Sequence, residues 1–136
     1  MKTIVLSGSM VFIDKMRELS EVLSDMGFVP IIPNEDNWSE LNEDEINEYK
    51  AKMSRQYFDK IADKDTHSIL VVNESKNNVD NYIGANTFAE IALAFYFGKK
   101  IYVLNDIYKP YADELLAWGS QVLNGDIHKI RRMGMY

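Results

Sequence analysis

The chain contains no cysteine, which excludes a disulfide framework, a thiolate zinc site and a thiol nucleophile together. Histidine is almost as scarce. His67 and His128 lie far apart and lack the i, i+4 spacing of a helical metal pair. No metal or cofactor is therefore expected, and any chemistry falls to oxygen and nitrogen groups. No apolar run approaches the roughly 20 residues that a membrane span needs. The start, Met1 to Leu6, enters a strand pattern without the order of a signal peptide, so a cytoplasmic location is expected. Basic residues are outnumbered, 15 Lys and Arg against 21 Asp and Glu, for a formal net charge of -6. Such a balance repels polyanions, and Arg131 and Arg132 are too few to form a patch, so neither nucleic acid nor a membrane is an expected partner. A small molecule suits the chain better.

What is present fits one domain over residues 1–136, with 46% hydrophobic residues to build its core. Thr3 to Leu6 reads as a buried strand ending at Ser7-Gly8-Ser9. Phe12, Met16, Leu19, Val22, Leu23 and Met26 recur at helical spacing before Gly27, and Phe28 to Ile32 forms the second strand. The acidic stretch from Asn34 to Glu48, with Trp38 inside it, reads as a solvated lid that leads into a helix over Glu48 to Ala62. It lacks the glycine and ligand spacing of a calcium loop. Ile69 to Val72 and Ile101 to Leu104 are further strands, separated by a helix from about Asn86 to Phe97, and a last helix covers about Ala112 to Leu123. Continuous apolar strands alternating with helices predict a single-domain, doubly wound α/β fold. Its sheet would be mainly parallel, four- or five-stranded, with helices on both faces in the flavodoxin or Rossmann manner. Ligands of such sheets bind outside the carboxyl ends of the strands.

Three features there can carry chemistry. Ser7-Gly8-Ser9 suits a tight strand-to-helix turn or a cradle of backbone N–H groups for an anion or a ribose. Glu90 stands in an otherwise apolar helix beside Ile91, Ala94 and Phe95. It either pairs with the helix dipole or a lysine, the reading composition favours, or it acts on a substrate. Asp59 lies between Phe58 and Ile61, close to an apolar stripe, and its functional reading depends on Glu90.

Several stretches together resemble the nucleoside 2-deoxyribosyltransferase family and its nucleotide N-glycosidase relatives. They are Lys2 to Ser9, Tyr57-Phe58-Asp59, Ala89-Glu90-Ile91-Ala92-Leu93-Ala94 and Leu115-Leu116-Ala117-Trp118-Gly119. A bacterial branch of that superfamily is more similar still, through Asn81-Tyr82-Ile83-Gly84, Asn86-Thr87 and Leu123-Asn124-Gly125-Asp126. The resemblance implies that Glu90 attacks the anomeric carbon of a nucleoside-like substrate to give a covalent glycosyl intermediate, while Asp59 assists the leaving base. It implies substrate contacts from Ser7, Gly8, Ser9, Gly84, Asn86, Glu114 and Tyr136, the last two reaching into a neighbouring subunit of a homodimer or larger homo-oligomer. Departures are visible as well. Val5 replaces a tyrosine that contacts the nucleophile, so Glu90 is expected to lose an orienting hydrogen bond. Val11 stands where nucleotide-hydrolysing relatives carry an arginine, and Glu114 where they carry a serine, which favours a nucleoside over its 5′-phosphate.

Two other classes compete. A non-catalytic module could keep the fold and bind a nucleoside or nucleotide derivative, a reading that Val5 favours. A response-regulator or flavodoxin relative would share the fold alone, because the acidic cluster of the former and the hydroxyl-rich phosphate loop of the latter are missing.

Overall fold

The computed structural model describes residues 2–35 and 39–132. Five strands, β1 (Thr3–Ser7), β2 (Val29–Ile31), β3 (Thr66–Val71), β4 (Lys100–Val103) and β5 (Gln121–Val122), form one sheet in the order β2-β1-β3-β4-β5. Every pairing is parallel. This is the doubly wound order whose direction reverses between β1 and β3, the place where such sheets leave a crevice for ligands.

Helices α1 (Ile13–Asp25), α2 (Glu43–Ala62), α3 (Ala85–Tyr96), α4 (Ala112–Ala117) and α5 (Lys129–Arg132) cover the sheet. Strand alternation divides the core in two. Ile4 and Leu6 of β1 join Leu70, Tyr102 and the α1 residues Met16, Leu19 and Leu23 on one face. Val5 joins Ile69, Val71, Ile101 and Val103 on the other, under Tyr57 and Ile61 of α2 and Ile91 and Ala94 of α3. Among the described residues no helix is long and apolar enough to cross a membrane.

Two helices differ most from their sequence-based bounds. Helix α2 begins at Glu43 rather than Glu48, because Asn42 caps it. The Asn42 side chain accepts from the Glu45 N–H at 2.8 Å, and the Glu45 carboxylate accepts from the Asn42 N–H at 3.1 Å. Glu43, Asp44 and Glu45 are thus first-turn residues that complement the helix dipole, not part of a lid. Trp38 lies outside the described residues. Helix α4 ends at Ala117 rather than Leu123, because Gly119 takes a φ of +78° and its N–H returns to the Leu116 carbonyl at 3.1 Å. The chain released there supplies β5.

Gly8 sets how closely the turn after β1 lies against β3. A Cβ at this position would stand 2.8 Å from the Val72 carbonyl oxygen and 2.9 Å from Cε of Met16. One of those contacts is backbone, so the strand end would have to move. Gly8→Ala is expected to destabilise the protein by about 1–3 kcal/mol, measured by urea unfolding. A change below about 0.5 kcal/mol would show that the turn is slack.

Candidate functional site

A cavity of about 910 Å³ opens at the carboxyl ends of β1 and β2. Its floor is the end of β1 and the following turn, Leu6 to Met10. One wall is the segment after β2, Pro33 to Glu35, and another is a face of α2. The remaining wall is the start of α3, where Gly84, Ala85, Asn86, Thr87 and Glu90 line the space. No side chain caps this helix, since Gly84 is its N-cap, and its first turn carries no acidic residue.

Glu90 is only 5% exposed. It is the sixth residue of α3, so it lies beyond the first turn, where the helix dipole acts most strongly. The Ser7 hydroxyl donates to Glu90 Oε1. Burial dominates its titration. Desolvation pushes the Glu90 carboxyl up to about 7, and the bond from Ser7 opposes that rise. Val5 is apolar and offers Glu90 no hydrogen bond. Ser7, two residues farther along the same strand face, supplies one.

Tyr57 packs beside this pair. Its hydroxyl donates to the Leu6 carbonyl, with the Ile31 carbonyl 3.4 Å away, and so ties α2 to the ends of β1 and β2. Burial first, and the charge of Glu90 second, hold its phenol well above the ordinary tyrosine range.

The cavity carries positive charge although the protein is acidic. Lys50 and Lys60 line it from α2. Lys76, on the β3–α3 connection, donates to Ser9 Oγ at 3.3 Å and stands 4.9 Å above the Tyr82 ring. Among the described residues none of these lysines has a carboxylate within ion-pair distance. Glu35 also lines the cavity, but Arg17 is bonded to it.

The structure therefore brings Ser7, Gly8, Ser9, Gly84, Asn86 and Glu90 to one cavity. It does not bring Asp59 there. Asp59 is exposed, and it follows the buried Tyr57 by two residues, roughly 200° around the helix. Glu114 is exposed on α4 and does not line the cavity, and Tyr136 lies outside the described residues. Lys50, Met53, Ser54, Tyr57 and Lys60 were not anticipated as cavity residues. Their i, i+3, i+4 spacing on one helix face was the signal that could have found them. Among the described residues no group of three or more His, Asp or Glu is placed to hold a metal ion.

The architecture defines a class, a doubly wound, all-parallel α/β fold of the Rossmann-like kind. Among solved structures the chain is similar to the CMP N-glycosidase BcmB of Clostridium botulinum, with a TM-score of 0.56 and 13% sequence identity, covering 99% of this chain and 100% of that one. At that identity the likeness establishes the fold alone. No protein-family profile matches the chain, and no curated protein does.

The raised titration of Glu90 makes stability depend on pH in a defined direction. Unfolded, the carboxyl ionises near 4.5; folded, it keeps its proton to about 7. Its contribution is fully present below the lower value and is lost as pH rises through the upper one, roughly 3 kcal/mol in all. The stability of Glu90→Gln relative to wild type should therefore improve by about that amount between pH 4 and pH 8. Urea unfolding at both pH values checks this. A constant difference would mean that Glu90 is not desolvated as described.

Proposed function

We propose that the cavity binds a nucleoside-like substrate and that Glu90 cleaves or transfers its N-glycosidic bond. The observation that carries this reading is a carboxylate, buried and hydrogen-bonded on one oxygen, facing a cavity large enough for such a molecule. The ionised carboxylate would attack the anomeric carbon, forming a C–O bond as the C–N bond breaks. The base leaves with the bonding electron pair and takes up a proton from water. Water then adds to the anomeric carbon, the ester bond to Glu90 breaks, and the proton water loses replaces the one the base gained. A second base in place of water gives transfer.

The name of the structural neighbour, a CMP N-glycosidase, supports a nucleotide as the substrate, and so does the charge of the site. Val11 and Glu114 were the objections to a 5′-phosphate, but neither lines the cavity, whereas Lys50, Lys60 and Lys76 stand in or beside it. A nucleoside 5′-monophosphate is thus the favoured substrate class. A second reading, a non-catalytic binding module, draws on the absence of Asp59 from the cavity wall: among the described residues the carboxyl that lines the cavity besides Glu90 is Glu35, which is bonded to Arg17.

We also propose a homodimer, formed through the aromatic side of α3 and α4. Phe88, Phe95 and Trp118 stack there with centroids 5.4 Å apart, beside the exposed Tyr96, Phe97 and Leu116. Leu116→Glu should convert the wild-type dimer to a monomer in sedimentation velocity. A monomeric wild type contradicts this part of the reading.

For the reaction, the protein and Glu90→Ala are incubated with nucleosides, deoxynucleosides and their 5′-monophosphates, and free base is followed by chromatography. Release is expected from monophosphates at a lower KM than from nucleosides, and Glu90→Ala should lose about a thousandfold or more in rate. No release from any compound, with or without an acceptor base, favours the binding module.

A further inference from the structure

We propose that Ser7 is the positioning residue of this site: from the last position of β1 its hydroxyl fixes one oxygen of the Glu90 carboxylate and favours the ionised form that can attack. The inference rests on the proposed role of Glu90, but its physical part holds whether or not the protein turns over a substrate.

The geometry leaves few other ways to stabilise this anion. Ser7 is the donor to Glu90 among the described residues, and it reaches Oε1 alone, so Oε2 stays without a protein hydrogen bond. Tyr57 is close enough for its phenol to sense the charge of Glu90, yet its proton is committed to the Leu6 carbonyl. On β3 and β4 the residues that meet α3 are Ile69, Val71, Ile101 and Val103, which cannot donate. Val5, the other β1 residue on this face, is equally apolar. The charged and titratable groups around the cavity are Lys50, Lys60 and Tyr57 from α2, Glu35 after β2, and Lys76 and Tyr82 from the β3–α3 connection. Neither ammonium of α2 and no other group of this set forms a hydrogen bond to Glu90 among the described residues. An apolar environment penalises the ionised carboxylate, and one donor hydrogen bond is what offsets the penalty.

The Ser7 hydroxyl is itself held in place by the sheet. Its backbone pairs in register with Val71, the Val72 N–H donates to its carbonyl at 2.8 Å, and the residue is 1% exposed. A hydroxyl on a fixed strand end has little freedom to turn away from its acceptor. One carboxylate oxygen is thereby anchored, and the other is left for the reacting carbon.

The test reads the ionisation of Glu90 directly. Protein labelled with 13C at glutamate carboxyls is titrated by NMR, the Glu90 signal being the one missing from Glu90→Gln. Ser7→Ala, which removes a single oxygen and adds no bulk, should move the Glu90 midpoint upward by about one pH unit or more. Tyr57→Phe, which removes a hydroxyl donated elsewhere, should move it by much less. In base release, the acid limb of the rate profile should rise with the NMR midpoint in Ser7→Ala. An unchanged midpoint in Ser7→Ala, or an equal shift in Tyr57→Phe, overturns the assignment. Absence of base release in every variant counts against the proposed reaction, while the NMR midpoints still decide the role of Ser7.

Discussion

A buried carboxylate is costly to ionise, and the carboxyl end of this sheet is organised around one. Glu90 can sit there because β1 is paired with β3 in a register that turns Ser7 toward α3 and Leu6 toward α1. A slip of one residue would exchange those two faces, placing a hydroxyl in the α1 core and a leucine against the carboxylate. The register is held by apolar packing on both sides of the sheet, and Gly8 lets the turn lie directly against Val72. The placement of Glu90 thus depends on core packing some distance from it.

The same strand ends govern the cavity. Tyr57 bonds to the Leu6 carbonyl, so the face of α2 that carries Lys50 and Lys60 is fixed relative to the turn that carries Ser9. Lys76 completes the positive side by bonding Ser9 and covering Tyr82. An acidic protein with cations around one cavity can attract an anion there while repelling larger polyanions elsewhere. This makes the overall charge, which argues against nucleic acid, compatible with the phosphate-bearing substrate proposed above.

Much of the fold was legible in the sequence, because its strands are short continuous apolar runs and its helices show 3.6-residue periodicity. The doubly wound sheet and the helix bearing Glu90 follow from those patterns. The start of α2 was hidden, since Glu43 to Glu45 reads as a solvated acidic run unless the Asn42 and Glu45 capping pair is noticed. Asp59 drew notice through its apolar neighbours and took its expected role from the family resemblance, but a helix turns about 100° per residue, so adjacency in sequence says little about a shared face. Ser7 and Lys76 were harder. Their significance lies in contacts across 83 and 67 residues, which no local pattern encodes.

The central claim is that Glu90 becomes covalently joined to a sugar. The most direct measurement is intact-mass and peptide-level mass spectrometry after mixing the protein with 2′-deoxy-2′-fluoro nucleosides and their 5′-monophosphates, whose fluorine slows breakdown of a glycosyl ester. The account predicts a mass increase equal to the sugar or sugar phosphate, confined to the peptide containing Glu90, with one equivalent of base released. Base release without an adduct on that peptide, or an adduct on a different residue, contradicts it.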